Sequence, residues 1–187
     1  MAITHSGLGH ALDKKISRMI RHSKSLLLVW RIAELEASNL KQDTIKSAHL
    51  FLGILKVVEI NISKVFDNLK ENDLEEIKRD IADLKGCVGE YISDLTYARR
   101  FLRHILPKGS GSSSSERLRR NKTARMVFGD AEALAQKTRS PVLPTHLLMA
   151  LLKLDDAQTK TVLEKVHVEL DSFRKYVFSY ISKSRKL

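Results

Sequence analysis

Two stretches decide the fold: "TIKSAHLFLGILK", Thr44–Lys56, and "PVLPTHLLMALLK", Pro141–Lys153. Each carries a β-branched residue (Ile45, Val142), three further residues, a histidine (His49, His146), a leucine-rich apolar run and a lysine. The correspondence continues outward on both sides. Ser23 and Asn121 stand 98 apart, as do Trp30 and Phe128, Ala33 and Ala131, and Ala37 and Ala135. One residue is lost in the loop, so the histidines stand 97 apart. Val65 and Phe66 then match Val162 and Leu163, and Leu69 matches Val166. After one more loss, Leu74, Ile77 and Ile81 match Leu170, Phe173 and Val177. Differences confined to loops mark a structural unit repeated twice.

The unit is helical. Apolar residues recur at three and four, strand-like alternation is almost absent, and only three prolines and eight glycines interrupt the chain. Leu26, Trp30, Ala33, Ala37 and Leu40 mark one helix face, and Ala124, Phe128, Ala131 and Ala135 mark its counterpart. Ser23 and Asn121 stand where a side-chain oxygen accepts from the free amides of a first turn. Pro144 suits the first turn of the second His helix, where no backbone donor is needed. The expected fold is all-α, two pseudo-symmetric four-helix units packed about a twofold, because one such unit buries only part of its apolar surface. Further helices are expected at 8–20 and 88–106. The expected divisions are an extension (1–22), a first repeat (23–85), an extra helix with a basic Gly/Ser linker (86–120) and a second repeat (121–187). The linker "PKGSGSSSS", Pro107–Ser115, is flexible by composition.

Cys87 is the single cysteine, so no disulfide forms within the chain. The N-terminus lacks a basic start followed by a long apolar run, and no stretch is long enough to span a membrane. A cytoplasmic protein is expected. The net charge of +11 is unevenly placed, with +8 of it in residues 99–125. Arg99, Arg100, Arg103, Lys108, Arg117, Arg119, Arg120, Lys122 and Arg125 make up that run. It offers a patch for an anion, an acidic protein or nucleic acid, although only Tyr97 and Phe101 could stack on bases.

Catalytic patterns are missing. There is no GxxxxGK[ST], GxSxG or HExxH. His5, His10, His22, His104 and His167 show no metal-ligand spacing, and Cys87 has no CxxC partner. His49 and His146 each fall early on an apolar helix. There a buried ring bonds a neighbouring loop carbonyl or hydroxyl, which is a structural task. Trp30, Phe51, Phe66, Phe128 and Phe173 fall on helix faces and read as core. The chain is expected to be no enzyme and to hold neither metal nor cofactor.

A helix with "AELEA" or "AEALA", a short loop, a β-branched residue and then a His-Leu-rich helix resembles the Clp repeat. Two in tandem resemble the N-terminal domain of the Clp/Hsp100 AAA+ unfoldases over residues 21–85 and 116–184. The resemblance implies a non-catalytic domain that recruits adaptors or unfolded substrates to a Clp chaperone-protease system. Free-standing Clp-repeat proteins act as accessory versions that bind the protease system or its ligands. In the branch that reads phosphoarginine, an acid precedes the motif histidine; here Ala48 and Thr145 stand there. Its partner is expected to be a Clp ATPase, a protease subunit, an adaptor or an unfolded substrate. The binding surface is expected where the units meet, near the starts of the His helices. The rival reading is a helical nucleic-acid- or anion-binding protein using residues 99–125.

Overall fold

The computed structural model describes residues 21–62, 70–110 and 118–183. Apolar residues at helical spacing form eight α-helices over these residues. The first unit supplies α1 (Lys24–Asn39), α2 (Ser47–Glu59) and α3 (Glu71–Gly89). The second supplies α5 (Lys122–Thr138), α6 (Pro144–Lys153), α7 (Ala157–Lys165) and α8 (Leu170–Lys183), and α4 (Leu95–Ile105) lies between the units. The helix expected over 88–106 is therefore divided. Residues 88–89 finish α3, and Asp94 starts α4 afresh by accepting from the Tyr97 amide at 2.8 Å. The helix expected at 8–20, the matched residues Val65, Phe66 and Leu69, linker residues 111–115 and Arg117 all lie outside the described residues.

The two His helices form the centre. Along α2, Leu50, Phe51, Leu52, Ile54, Leu55 and Val57 are all fully buried, and α6 is buried at every position from Pro144 to Leu152. A helix apolar on every side needs neighbours on every side. α2 finds α1, α3 and α4 and, from the second unit, α5, α6 and α7. α1 comes closest, because a Cβ on Gly53 would stand 2.6 Å from the Val29 carbonyl oxygen. The equivalent residue of α6 is Ala150. At the far end of α6, the Arg174 guanidinium of α8 donates twice to the Leu152 carbonyl, at 2.8 and 3.1 Å.

The ends of α1 and α5 are twins. The Ser23 hydroxyl accepts from the Leu26 amide at 3.2 Å, and the Asn121 carbonyl oxygen accepts from the Ala124 amide at 2.8 Å. Both helices stop at a left-handed residue, Lys41 (φ 53°) and Arg139 (φ 51°). In each the next amide turns back, Gln42 to Ala37 and Ser140 to Ala135.

The units exchange their backbone edges. Thr44–Ile45 (β1), just before α2, pairs in parallel with Arg119–Arg120 (β2), just before α5. Val142, just before α6, bridges in the same sense to His22, just before α1. Thus Asn121 donates to the Ile45 carbonyl at 3.0 Å, and Ser23 donates to the Val142 carbonyl at 3.1 Å. Each unit's first helix is held by the other unit's pre-histidine loop. That reciprocal exchange is the pseudo-twofold.

α4 has no twin. Arg103 makes a two-point ion pair with Glu36 of α1, and Arg99 bonds Glu59 of α2 at 2.5 Å. Burial works against the Glu59 charge, but the Thr96 hydroxyl and the Arg99 guanidinium hold its carboxyl below the usual range. Beyond α4 the first residues of the Gly/Ser linker are tied down. The Gln42 side-chain amide donates to the Pro107 carbonyl, and Gly109 donates to the Leu40 carbonyl at 2.8 Å.

Candidate functional site

The histidines are built into the helix starts. Nδ1 of His49 accepts from the Lys46 amide at 3.0 Å, and Nδ1 of His146 accepts from the Leu143 amide at 3.0 Å. This is the reach-back of a capping box, made by imidazole where Glu or Gln is usual. The Nδ1 partner is thus a backbone amide, and among the described residues the hydroxyl expected beside a ring is found only at Nε2 of His146. Accepting at Nδ1 leaves the hydrogen of a neutral ring on Nε2. Nε2 of His146 lies 3.3 Å from the Thr138 hydroxyl. The twin of Thr138 is Leu40, which has no hydroxyl, and Nε2 of His49 is buried with no partner among the described residues.

A groove runs along the pseudo-twofold. It is lined by His22, Leu26, Leu27 and Trp30 from the start of the first unit and by Arg120 and Phe128 from the start of the second. The lining repeats itself across the axis. Trp30 and Phe128 are twins and meet edge to face, with centroids 5.7 Å apart. His22 and Arg120 are twins as well. The His22 ring stands 6.1 Å from that of Phe128, and the Arg120 guanidinium stands 5.5 Å from Trp30 and 4.6 Å from Phe128. Glu132 holds His22 at 3.2 Å. Leu27 is 50% exposed at the groove, and Met126 on α5 is 51% exposed. Exposed apolar side chains at an aromatic seam topped by the Arg120 guanidinium suit an apolar peptide face.

The described residues of the basic run differ in their partners. Arg99 and Arg103 are spent on Glu59 and Glu36, and Arg120 lies over the seam aromatics. Arg100, Lys108, Arg119, Lys122 and Arg125 face solvent. Among the described residues no group of three or more His, Cys, Asp or Glu could hold a metal ion. No described helix is long and apolar enough to cross a membrane. Phe128 is buried in the core and Trp30 packs against it, as their helix-face positions imply, whereas the exposure of Leu27 and Met126 carries no sequence signal. The signal that could have found the seam was the twin arithmetic, which sets His22 against Arg120.

No family model and no curated protein matches the chain. Solved structures do. The N-terminal domain of the caseinolytic-protease-associated chaperone ClpD from Arabidopsis thaliana is similar at 15% identity and a TM-score of 0.57, over 87% of this chain and 95% of that one. A structure from work on a malarial protein secretion system is similar at 14% identity and a TM-score of 0.53, over 89% and 95%. The Hsp104 N-terminal domain from Candida albicans gives 16% and 0.51, over 84% and 89%. Two helical units joined by exchanged edges, matched over most of each chain, give this protein the all-α fold of the Clp/Hsp100 N-terminal domains.

Proposed function

We propose that this protein is a non-catalytic binding module that recruits an adaptor or an unfolded substrate to a Clp/Hsp100 chaperone-protease system. The seam groove carries the reading. Half-exposed Leu27, part-buried Trp30 and the buried edge of Phe128 line an apolar groove where both units meet, and the exchanged backbone edges tie together the segments that carry it. The likeness to chaperone N-terminal domains supports the same reading. A partner is gripped by apolar side chains there, with Arg120 adding preference for an acidic residue beside them.

Trp30 is the only tryptophan of the chain and stands in the groove. Its fluorescence therefore reports occupation directly. Titration with a permanently unfolded, reduced and alkylated protein should shift Trp30 emission, and Leu27→Ser should weaken binding about tenfold, the worth of one buried leucine contact. A nucleic-acid module would behave otherwise. It would bind single-stranded oligonucleotide with steep salt dependence, lose it on reversing Arg119, Lys122 and Arg125 to Glu, and ignore Leu27→Ser. That second pattern would overturn the proposal.

A further inference from the structure

In the first unit, the turn that ends α1 is covered by the chain itself. Gly109 donates to the Leu40 carbonyl, and the Gln42 side chain donates to the Pro107 carbonyl. Leu106 and Pro107 line a small pocket together with Lys46 and Ala48. The approach is tight, since a Cβ on Gly109 would stand 2.0 Å from the Lys41 carbonyl oxygen. Four residues therefore receive this extended segment: Leu40, Gln42, Lys46 and Ala48.

Their twins are Thr138, Ser140, Leu143 and Thr145. All four twins line one cavity, of about 130 Å³, at the start of α6. The turns beneath have the same backbone, left-handed at Lys41 and at Arg139. What differs is the cover: none of the described segments lies over the second turn as 106–109 lies over the first. His146 of α6 lines it too, and the remaining walls come from α3 and α8, as Asp80, Asp83, Tyr180 and Ile181. Among the described residues no lysine or arginine lines the cavity. Burial pushes the Asp80 carboxyl up; Ser25 opposes this by donating to it, and the charges of Glu76 and Asp83 add to it. Thr145 is only 5% exposed and lines the cavity.

We propose that this cavity, which no described segment covers, is the twin of the turn filled by Leu106–Gly109, and that it docks an extended basic segment of a partner protein. The first unit shows how. A backbone amide of the guest bonds the Thr138 carbonyl as Gly109 bonds that of Leu40. The Ser140 hydroxyl, which bonds Thr138 Oγ1 at 2.7 Å and donates to the Pro141 carbonyl at 3.2 Å, turns to donate to a guest carbonyl as the Gln42 side chain donates to that of Pro107. A lysine or arginine beside that carbonyl places its charge against Asp80 and Asp83, which replaces the repulsion between two carboxylates with attraction. The site shares no residue with the seam groove and stands or falls apart from it.

The probe is a terminally blocked peptide with the sequence of residues 103–110, RHILPKGS, which already fits the first turn. It is added to the full chain and followed by amide chemical shifts and calorimetry. Shifts should concentrate at residues 138–146 and on α3 near Asp80 and Asp83. Affinity should fall at least tenfold in Asp80→Asn/Asp83→Asn and again in Ser140→Arg, which places a competing guanidinium at the cavity without touching α3. Absence of binding would overturn the proposal. So would shifts at residues 40–48 or at the seam instead, or equal affinity in the native chain and in Ser140→Arg.

Discussion

At the scale of single residues, burial decides chemistry. His49 is 1% exposed, its Nδ1 is committed to an amide, and a second proton would place a charge in the core. Burial first, and the nearby Lys46 charge second, bring its pKa down from 6.5 to about 4. The unfolded chain therefore takes up this proton near pH 6.5, whereas the folded chain does not until near pH 4. Stability is full above pH 6.5 and is lost as the pH falls towards 4, by about 3 kcal/mol from this group. Urea unfolding across that range should show the loss, and His49→Gln should flatten that part of the slope. Cys87 tells the same story with opposite sign. Fully buried, and beside the Asp83 charge, its thiol is pushed up to about 12. A thiolate is the reactive form, so a maleimide should label Cys87 slowly in buffer and at once in urea.

At the scale of elements, small residues set the spacing of helices. Gly53 lets α2 settle onto the Val29 carbonyl, whereas α6 has room for a methyl at Ala150. Gly53→Ala should destabilise by about 1–3 kcal/mol, because the Cβ meets backbone that must move as a whole. Thermal unfolding checks this. A change to glycine at Ala150 should cost less, roughly 1 kcal/mol of helix propensity. The helices themselves were legible in the sequence, because their apolar spacing, the caps at Ser23 and Asn121, and the twin offsets all agree. The break before α4 was not, because residues 90–94 contain neither proline nor glycine beyond the end of α3, and Asp94 acts as a cap only once Tyr97 folds over it. Nor were the seam and the cavity at α6 legible. Whether Leu27 is exposed depends on how α1 meets α5, and Asp80 reaches the cavity only because α3 packs across the unit boundary against α6. These are facts of packing between distant segments, and periodicity does not carry them.

At the scale of the whole molecule, the exchange of edges should make the two repeats fold as one unit. The His22–Val142 and β1–β2 pairings join residues far apart in the chain, and they carry the amides of Ser23 and Asn121 that precede α1 and α5. A chain ending at residue 110 would keep α1 to α4 but lose α5, α6 and α7, all of which cover α2. It would expose Leu50, Ile54 or their neighbours on an otherwise buried helix and leave the Ile45 and Ser23 edges unpaired. A half-unit with an apolar helix bare on one side is expected to collapse without fixed packing, as fluctuating helices that bind a hydrophobic dye. The halves 1–110 and 111–187 should therefore each lack a cooperative thermal transition. Mixed in equal amounts they should regain one, since the exchanged pairings are the same whether or not the linker is cut, with a midpoint that rises with concentration. A sharp, concentration-independent transition in either half alone would show that the units fold independently and that the exchanged edges only align them.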